Sequence, residues 1–338
     1  MSTHLLVGNP TAQSGMNKER IELALRELEG RGIRAELLHT LPDGATVGAV
    51  TAALDAGSHR VVIAMGGDGT FREVAAGLVQ SKRSGEVALG MLPTGTANDQ
   101  GKSFGLEATP DAIPRNVEVI AAGHETRLDA GRIRASQTKG GAGRDDYFFD
   151  SAGWGLSARV LAQRNQDRAA VATMGPLKEL YRDHAVYAGA FLKTFLESYV
   201  VDDKFVAHAT LDGTPHVIEG LTDLVVKNTR VYAGAWVLDR TARHDDGAFE
   251  LVPFRGKRDW ASKAMMDLDG NPLTDEMLAE VGVEHSRPLR ASRIELELVP
   301  GPMHAAVPAQ IDGEEWGSEP YVTIEVLPRA VRLIVPAG

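Results

Sequence analysis

Residues 61–80 read VVIAMGGDGTFREVAAGLVQ, and this segment constrains the fold more than any other. The apolar run Val61–Met65 has the length of a buried strand. Three glycines then surround one carboxylate in Gly66-Gly67-Asp68-Gly69-Thr70. Phe71, Val74, Ala75, Leu78 and Val79 follow at helical spacing, so the turn joins a strand to an amphipathic helix. Glycine lets the backbone approach a ligand closely, and a helix N-terminus points N–H groups at an anion. Thr70 and Glu73 also fit a capping box, so a tight turn with a capped helix is the plain structural reading. Capping, however, does not require three glycines around Asp68. A carboxylate in an anion-binding turn repels phosphate unless a cation or a hydroxyl intervenes. The turn therefore points to a Mg²⁺-nucleotide site.

Two more glycine-bearing turns follow short apolar runs. Leu5–Val7 leads into Asn9-Pro10-Thr11-Ala12-Gln13-Ser14-Gly15, and Val87–Leu92 into Pro93-Thr94-Gly95-Thr96-Ala97-Asn98-Asp99. A further run covers Ala35–Leu38. Ile21, Ala24, Leu25 and Leu28 form a helical stripe, and Val47, Val50, Thr51 and Leu54 a weaker one. Strand–helix alternation implies a mostly parallel sheet with helices on both faces. Ligands bind such sheets beyond the carboxyl ends of the strands, where all three turns would meet. Thr96 and Asn98 offer neutral hydrogen bonds there, and Asp99 a second carboxylate. Taken alone, the 93–99 turn is an ordinary loop and the Asn9 turn a helix lead-in. None of the three turns has the Gly-x-x-x-x-Gly-Lys-Ser/Thr pattern, since Gly101-Lys102-Ser103 lacks a glycine five residues before it, so none is a P-loop.

From about residue 127 the pattern changes to strands and hairpins. Phe205–Leu211 and Pro215–Glu219 flank Asp212-Gly213, a tight hairpin signal. Ile294, Leu296 and Leu298 alternate with polar residues, as do Val322, Ile324 and Val326, with Val331, Leu333 and Val335 after them. One long helix is expected from Pro176 to about Tyr199. The segment 136–146 reads as a surface loop, and 257–290 as a polar insertion with a short helix. The expected fold is an α/β domain over residues 1–127, an antiparallel β-sandwich or barrel over 128–325, and a C-terminal segment, 326–338, returning to the first domain.

Composition narrows the function. Lys+Arg number 36 against 46 Asp+Glu, a net charge of −10, which argues against a general nucleic-acid binder. The absence of cysteine excludes disulfides, zinc–cysteine sites and thiol catalysis. The N-terminal residues lack the features of a signal peptide, and no apolar run approaches the roughly 20 residues of a bilayer span. A cytoplasmic protein is expected.

Further motifs follow in the second half: Phe149-Asp150-Ser151-Ala152-Gly153-Trp154-Gly155, Asp245-Asp246-Gly247-Ala248-Phe249 and Pro308-Ala309-Gln310-Ile311-Asp312-Gly313-Glu314. Together with GGDGT, GTAND, the Asn-Pro turn and the ending VLPRAVRLIVP, they resemble the diacylglycerol kinase catalytic-domain family, within it the soluble bacterial lipid kinases related to diacylglycerol and sphingosine kinases. GGDGT alone is shared with NAD kinases and phosphofructokinases; the ordered set is far more specific. The resemblance implies a three-layer α/β domain of the NAD kinase and phosphofructokinase type, with a β-sandwich behind it.

The activity it implies is ATP-dependent phosphorylation of a lipid hydroxyl, as in diacylglycerol. Asp68 and Asp99 would hold or position Mg²⁺ on ATP, and Glu314 would be the general base. Asn9, Thr40, Gly66, Gly67, Asp68, Gly69, Thr70, Phe71, Arg72, Thr96 and Asn98 would contact the nucleotide. A second, structural Mg²⁺ would sit on the Asp246 carboxylate and main-chain oxygens, at Arg243, Asp246 and Ala248. On the residues alone, Asp312-Gly313-Glu314 and Asp246-Gly247 are equally hairpin turns with solvated acids. Arg72 stands where relatives carry a small polar residue, to pair with phosphate or face solvent. Gln100 replaces a common aromatic residue. A lipid substrate makes a membrane surface the expected partner. The stretch Lys178–Lys193 offers an amphipathic helix for docking or for packing on the sandwich. Self-association as a homodimer is left open, as are two other readings: a kinase of a soluble substrate such as NAD, and an inactive nucleotide- or lipid-binding regulator.

Overall fold

The computed structural model describes residues 4–10, 16–95, 98–159, 161–162, 204–232, 236–237, 242–256, 259 and 288–337. The turn 11–15, Thr96, the helix expected from Pro176 to Tyr199 with Lys178 and Lys193, and nearly all of 257–290 lie outside the described residues.

Four strands run parallel in the order β2-β1-β3-β4: β1 (His4–Gly8), β2 (Ala35–His39), β3 (Val61–Gly66) and β4 (Ala88–Pro93). Their apolar residues divide by the two-residue strand period. Leu5, Val7, Val62, Ala64, Leu89 and Met91 pack on α2 (Ala45–Ala56) and α3 (Asp68–Gln80). Leu6, Ile63, Met65 and Leu92 pack on α1 (Met16–Gly30) and α5 (Ile113–Ala122). These are the three layers expected from the alternation. Helix α5, whose Ile113, Val117 and Ile120 complete the second face, is an addition to the elements read from sequence. A five-residue helix, α4 (Asp99–Ser103), follows the β4 turn.

The second half is antiparallel. One sheet has the order β14-β13-β10-β7-β16-β17, from β7 (Ser151–Gly155), β10 (Asp223–Lys227), β13 (Phe249–Phe254), β14 (Leu289–Ala291), β16 (Ala309–Ile311) and β17 (Glu314–Gly317). It packs on β5 (Glu125–Ser136), β6 (Arg144–Phe148), β8 (Phe205–Leu211), β9 (Thr214–Leu221), β15 (Arg293–Val299) and β18 (Tyr321–Ile334). Trp154, Phe148, Phe249, Leu224, Ile294 and Ile324 fill the interior of this sandwich. A small ribbon pairs β11 (Val231–Tyr232) with β12 (Trp236–Val237). The 136–146 stretch is the β5–β6 connection, with Arg144–Asp146 already in strand.

Strand β18 joins the two cores. Its first half pairs with β15 and its end runs parallel to β4, while β5 lines its other edge throughout. The register shifts between Leu327 and Val331. Val322 and Ile324 consequently face the sandwich core, and Val331 and Leu333 the α/β core. The bulge lies opposite Asp129, which is fully buried. One Asp129 oxygen accepts the Arg329 N–H at 2.6 Å and the other the Gly247 N–H at 2.7 Å.

Removing this carboxylate leaves the Arg329 and Gly247 N–H groups without their acceptor. Asp129→Ala should cost about 3 kcal/mol of unfolding free energy, measured by urea titration. A loss below about 0.5 kcal/mol would show that the bulge needs no such anchor.

Candidate active site

The turn after β3 is built by close packing. A Cβ on Gly66 would lie 2.3 Å from the Thr70 hydroxyl, and one on Gly95 2.5 Å from the Cα of Gly67. Only glycine permits these approaches. The Thr94 N–H donates to the Gly66 carbonyl at 2.8 Å, so the β3 and β4 turns are bonded into one floor. Helix α3 starts at Asp68 with Gly67 as its cap residue and no side-chain cap. This corrects the capping-box reading: Thr70 lies inside the first turn and packs on Gly66.

Asn98 takes a left-handed conformation, φ 53°, and closes its own loop. Its Oδ1 accepts the Gly95 N–H at 2.9 Å and its Nδ2 donates to the Gly95 carbonyl at 2.7 Å. Asp99 is buried in the first turn of α4. Asn9 and Thr40 follow β1 and β2 along the same edge; Thr40 N–H donates to the Gly8 carbonyl at 3.2 Å. Asn17, which sequence reasoning passed over, donates to the Asn9 carbonyl at 2.6 Å. Phe71 is buried and meets Phe149 edge-on at 6.0 Å, so its ring belongs to the core. Arg72 neither faces solvent nor is held for phosphate; its Nη1 lies 3.2 Å from each oxygen of Asp146.

Glu314 arrives from the other half. Residues Asp312 and Gly313 have φ of 46° and 77°, and Ile311 pairs with Glu314 across them. This is a two-residue hairpin turn, so the hairpin reading holds, yet Glu314 is not merely solvated. A Cβ on Gly69 would lie 2.8 Å from Glu314 Oε1. The carboxylate thus rests against α3 at Gly69, a position that carries no side chain. The turn is held by Asp312, whose Oδ1 accepts the N–H groups of Asp150 at 2.8 Å and Ser151 at 2.9 Å, while Oδ2 accepts that of Phe149 at 2.9 Å.

Behind it sits an acidic cluster that the sequence reading did not single out. Asp150 is buried and ion-paired with Lys227 Nζ at 2.7 Å. Asp68 is partly exposed as a residue, but its carboxyl end is enclosed. Burial, then the charges of Asp150 and Asp312, push that carboxyl up to about 6 against hydrogen bonds from the Gln100 and Asn98 N–H groups. Asp312 is pushed up to about 7 by burial and by Asp150, against its three main-chain donors. A cluster short of positive charge suits a divalent cation. Among the described residues no three acidic or histidine side chains converge to hold one, so an ion at Asp68 and Asp99 would need phosphate oxygens as well, as Mg²⁺ commonly does. Gln100 also lines the cleft beside Gly66, Gly67, Asp68 and Phe71. It is buried, and neither end of its amide has a protein partner, as expected where a polar ligand or water completes the site.

The Asp246 loop does not fit the second cation. One Asp246 oxygen is ion-paired with Arg290 and the other lies 3.3 Å from the Ala248 N–H. Arg243 turns to Asp245 at 3.3 Å. A guanidinium supplies the positive charge expected of a metal there.

The chain resembles known proteins along most of its length. The family model of the diacylglycerol kinase catalytic domain matches residues 3–133. Residues 3–133 thus resemble a diacylglycerol kinase catalytic domain. A diacylglycerol kinase from Staphylococcus saprophyticus is 27% identical over 248 residues, covering 73% of this chain and 71% of its own. A probable lipid kinase, YegS-like, from Pseudomonas aeruginosa is 26% identical over 96% of this chain and 92% of its own. In structure, a diacylglycerol kinase from Bacillus anthracis superposes with a TM-score of 0.69 at 21% identity, over 99% of this chain and 97% of its own. Yeast NADH kinase reaches 0.51 at 9% identity, over 99% and 84%. The last two show a shared fold, and both extend beyond the catalytic domain into the β-sandwich.

Two outcomes follow from this geometry. In Gly69→Ala the new methyl must displace the Glu314 carboxylate, the movable end of a side chain. If Glu314 is the catalytic base, turnover should fall by about 10²-fold or more with little change in melting temperature; unchanged turnover would remove Glu314 from the site. The second concerns pH. Asp68 and Asp312 have folded pKa values above the ordinary carboxyl value, so their contribution to stability is complete below about pH 4 and is lost as pH rises through 6 and 7. Urea unfolding of the nucleotide-free protein should show stability falling from about pH 5 to about pH 7.5, by at most about 1.4 kcal/mol per pH unit for each group. The fall should be shallower in Asp68→Asn; an equal slope in both proteins would contradict the assignment.

Proposed function

We propose that the protein is an ATP-dependent lipid kinase that phosphorylates the hydroxyl of a lipid alcohol such as diacylglycerol. The observation that carries this reading is the placement of Glu314, from the second sheet, beside Gly69 in the turn that holds Asp68. A phosphoryl donor bound along the β3 and β4 turns would present its terminal phosphate between Asp68 and Glu314.

In this reading Gly66, Gly67, Gly69 and Thr70 receive the phosphates with main-chain N–H groups and the Thr70 hydroxyl. Asn9, Thr40 and Thr96 border the rest of the nucleotide. Phe71 and Asn98 act through packing and loop shape. Asp68 and Asp99 would hold Mg²⁺, which when bound neutralises phosphate charge. Glu314 removes the proton from the acceptor hydroxyl as its oxygen bonds to the γ-phosphorus. The bond from that phosphorus to the β,γ-bridging oxygen breaks, ADP leaves, and the proton remains on Glu314 until it passes to solvent. Positioning and charge neutralisation dominate such a reaction. The base contributes about 10²–10⁴-fold. The lipid would be met at a membrane surface; among the described residues no helix is long and apolar enough to cross one.

The test is a phosphorylation assay with labelled ATP and a panel of lipid alcohols, with NAD as the soluble control and products identified by mass spectrometry. Lipid phosphorylation is expected, reduced about 10²–10⁴-fold in Glu314→Gln with nucleotide affinity retained. Transfer to NAD alone, or full activity in Glu314→Gln, would overturn the reading.

A further inference from the structure

Among the described residues Lys227 is the only lysine or arginine that is buried, at 1% exposure. An enclosed ammonium is tolerated only when fully paired. Lys227 Nζ donates to Asp150 Oδ1 and to the Val231 carbonyl, each at 2.7 Å, and lies 5.4 Å from the centre of the Tyr232 ring. Asp150 is equally engaged. Its Oδ1 also accepts the Thr229 hydroxyl, and its Oδ2 the Ser151 hydroxyl at 3.0 Å. Both oxygens carry protein donors, so Asp150 is held within this network.

Two arms leave this pair. In the first, the Asp150 N–H donates to Asp312 Oδ1 at 2.8 Å, flanked by those of Phe149 and Ser151 on the same carboxylate. Asp312 opens the turn that presents Glu314. In the second, the Thr229 hydroxyl lies 3.4 Å from that of Ser103, which accepts the Val231 N–H at 3.0 Å. Ser103 ends α4, the helix that begins with Asp99. Lys227 touches neither Asp99 nor Glu314, yet its partners hold the segments that place both.

We propose that Lys227 is a positioning residue: its ion pair with Asp150 locks the α4 segment bearing Asp99 and the hairpin bearing Glu314 into one rigid unit across the junction of the two sheets. The proposal rests on the reading of Asp99 and Glu314 as active-site groups. It requires directional hydrogen bonds. A purely structural buried pair can be replaced by a neutral one of similar volume without loss, whereas a positioning pair cannot.

The neutral double variant Lys227→Met/Asp150→Asn separates these roles. Its melting temperature should stay near that of the wild type, because no unpaired charge is left buried. Amide exchange at 149–151 and 229–231 should be about tenfold faster. Turnover should fall by about 10²-fold, the cost of misplaced reacting groups, while affinity for ATP, measured by calorimetry, stays within about twofold, a change of about 0.4 kcal/mol. Lys227→Arg should recover part of the turnover. Should the double variant not fold, Ser103→Ala decides, since it keeps every buried charge and cuts only the α4 arm; it should speed exchange at Val231 and lower turnover. Wild-type exchange in these segments overturns the proposal whatever the activity, and so does faster exchange with unchanged turnover. A wild-type protein that phosphorylates no lipid refutes the reading of the site instead, and exchange together with ATP affinity still judges Lys227.

Discussion

The Asp312 carboxylate accepts three consecutive main-chain N–H groups, those of Phe149, Asp150 and Ser151. The rest of the site depends on that arrangement. It fastens the β16–β17 turn to the start of β7, and it fixes where Glu314 can point. Burial and the nearby Asp150 charge work against it, raising the Asp312 pKa to about 7. The cluster is thus held in tension: main-chain N–H groups favour the ionised carboxyls of Asp68 and Asp312, while desolvation and mutual repulsion oppose them. A divalent cation with a polyphosphate is the kind of ligand that relieves such an imbalance.

The β5–β18 ribbon makes this convergence possible. A two-domain chain with a flexible linker would leave the distance between Asp68 and Glu314 unset. Here β18 runs from the sandwich into the parallel sheet without interruption, and its bulge turns its buried face from one core to the other. Asp129 anchors the bulge and also holds the Gly247 loop. Arg290 supplies that loop's positive charge by pairing with Asp246. The relative placement of the two halves is therefore built from backbone pairing and buried hydrogen bonds.

Much of this was legible in the sequence because it is local. The four parallel strands, the helices α1 to α3 and the edge where the turns meet all follow from apolar runs, helical stripes and glycines. The hairpin reading of Asp312-Gly313-Glu314 was also legible and holds, and the turn sets Glu314 beside Gly69. The partners of the cluster were not. Asp150 and Asp312 are 162 residues apart, and no periodicity marks Lys227 as the counter-ion of Asp150. Arg72 was read as a phosphate or solvent residue because its partner Asp146 lies 74 residues away, in a stretch that reads as a surface loop. The Thr70 capping box failed for a local reason: Gly66 is bare enough for Thr70 to pack on it, and the cap residue is Gly67, three residues earlier.

The central claim is that carboxylates from both halves of the molecule meet at the phosphates of one nucleotide. Paramagnetic relaxation of side-chain carboxyl ¹³C signals tests it directly, with Mn²⁺-ATP as the probe. If the claim holds, the signals of Asp68, Asp99 and Glu314 broaden together on binding, while that of Glu325, paired with Arg134 and Arg293 on the outer face of the sandwich, stays sharp. A Glu314 signal left as sharp as that of Glu325, with Asp68 broadened, would contradict the account.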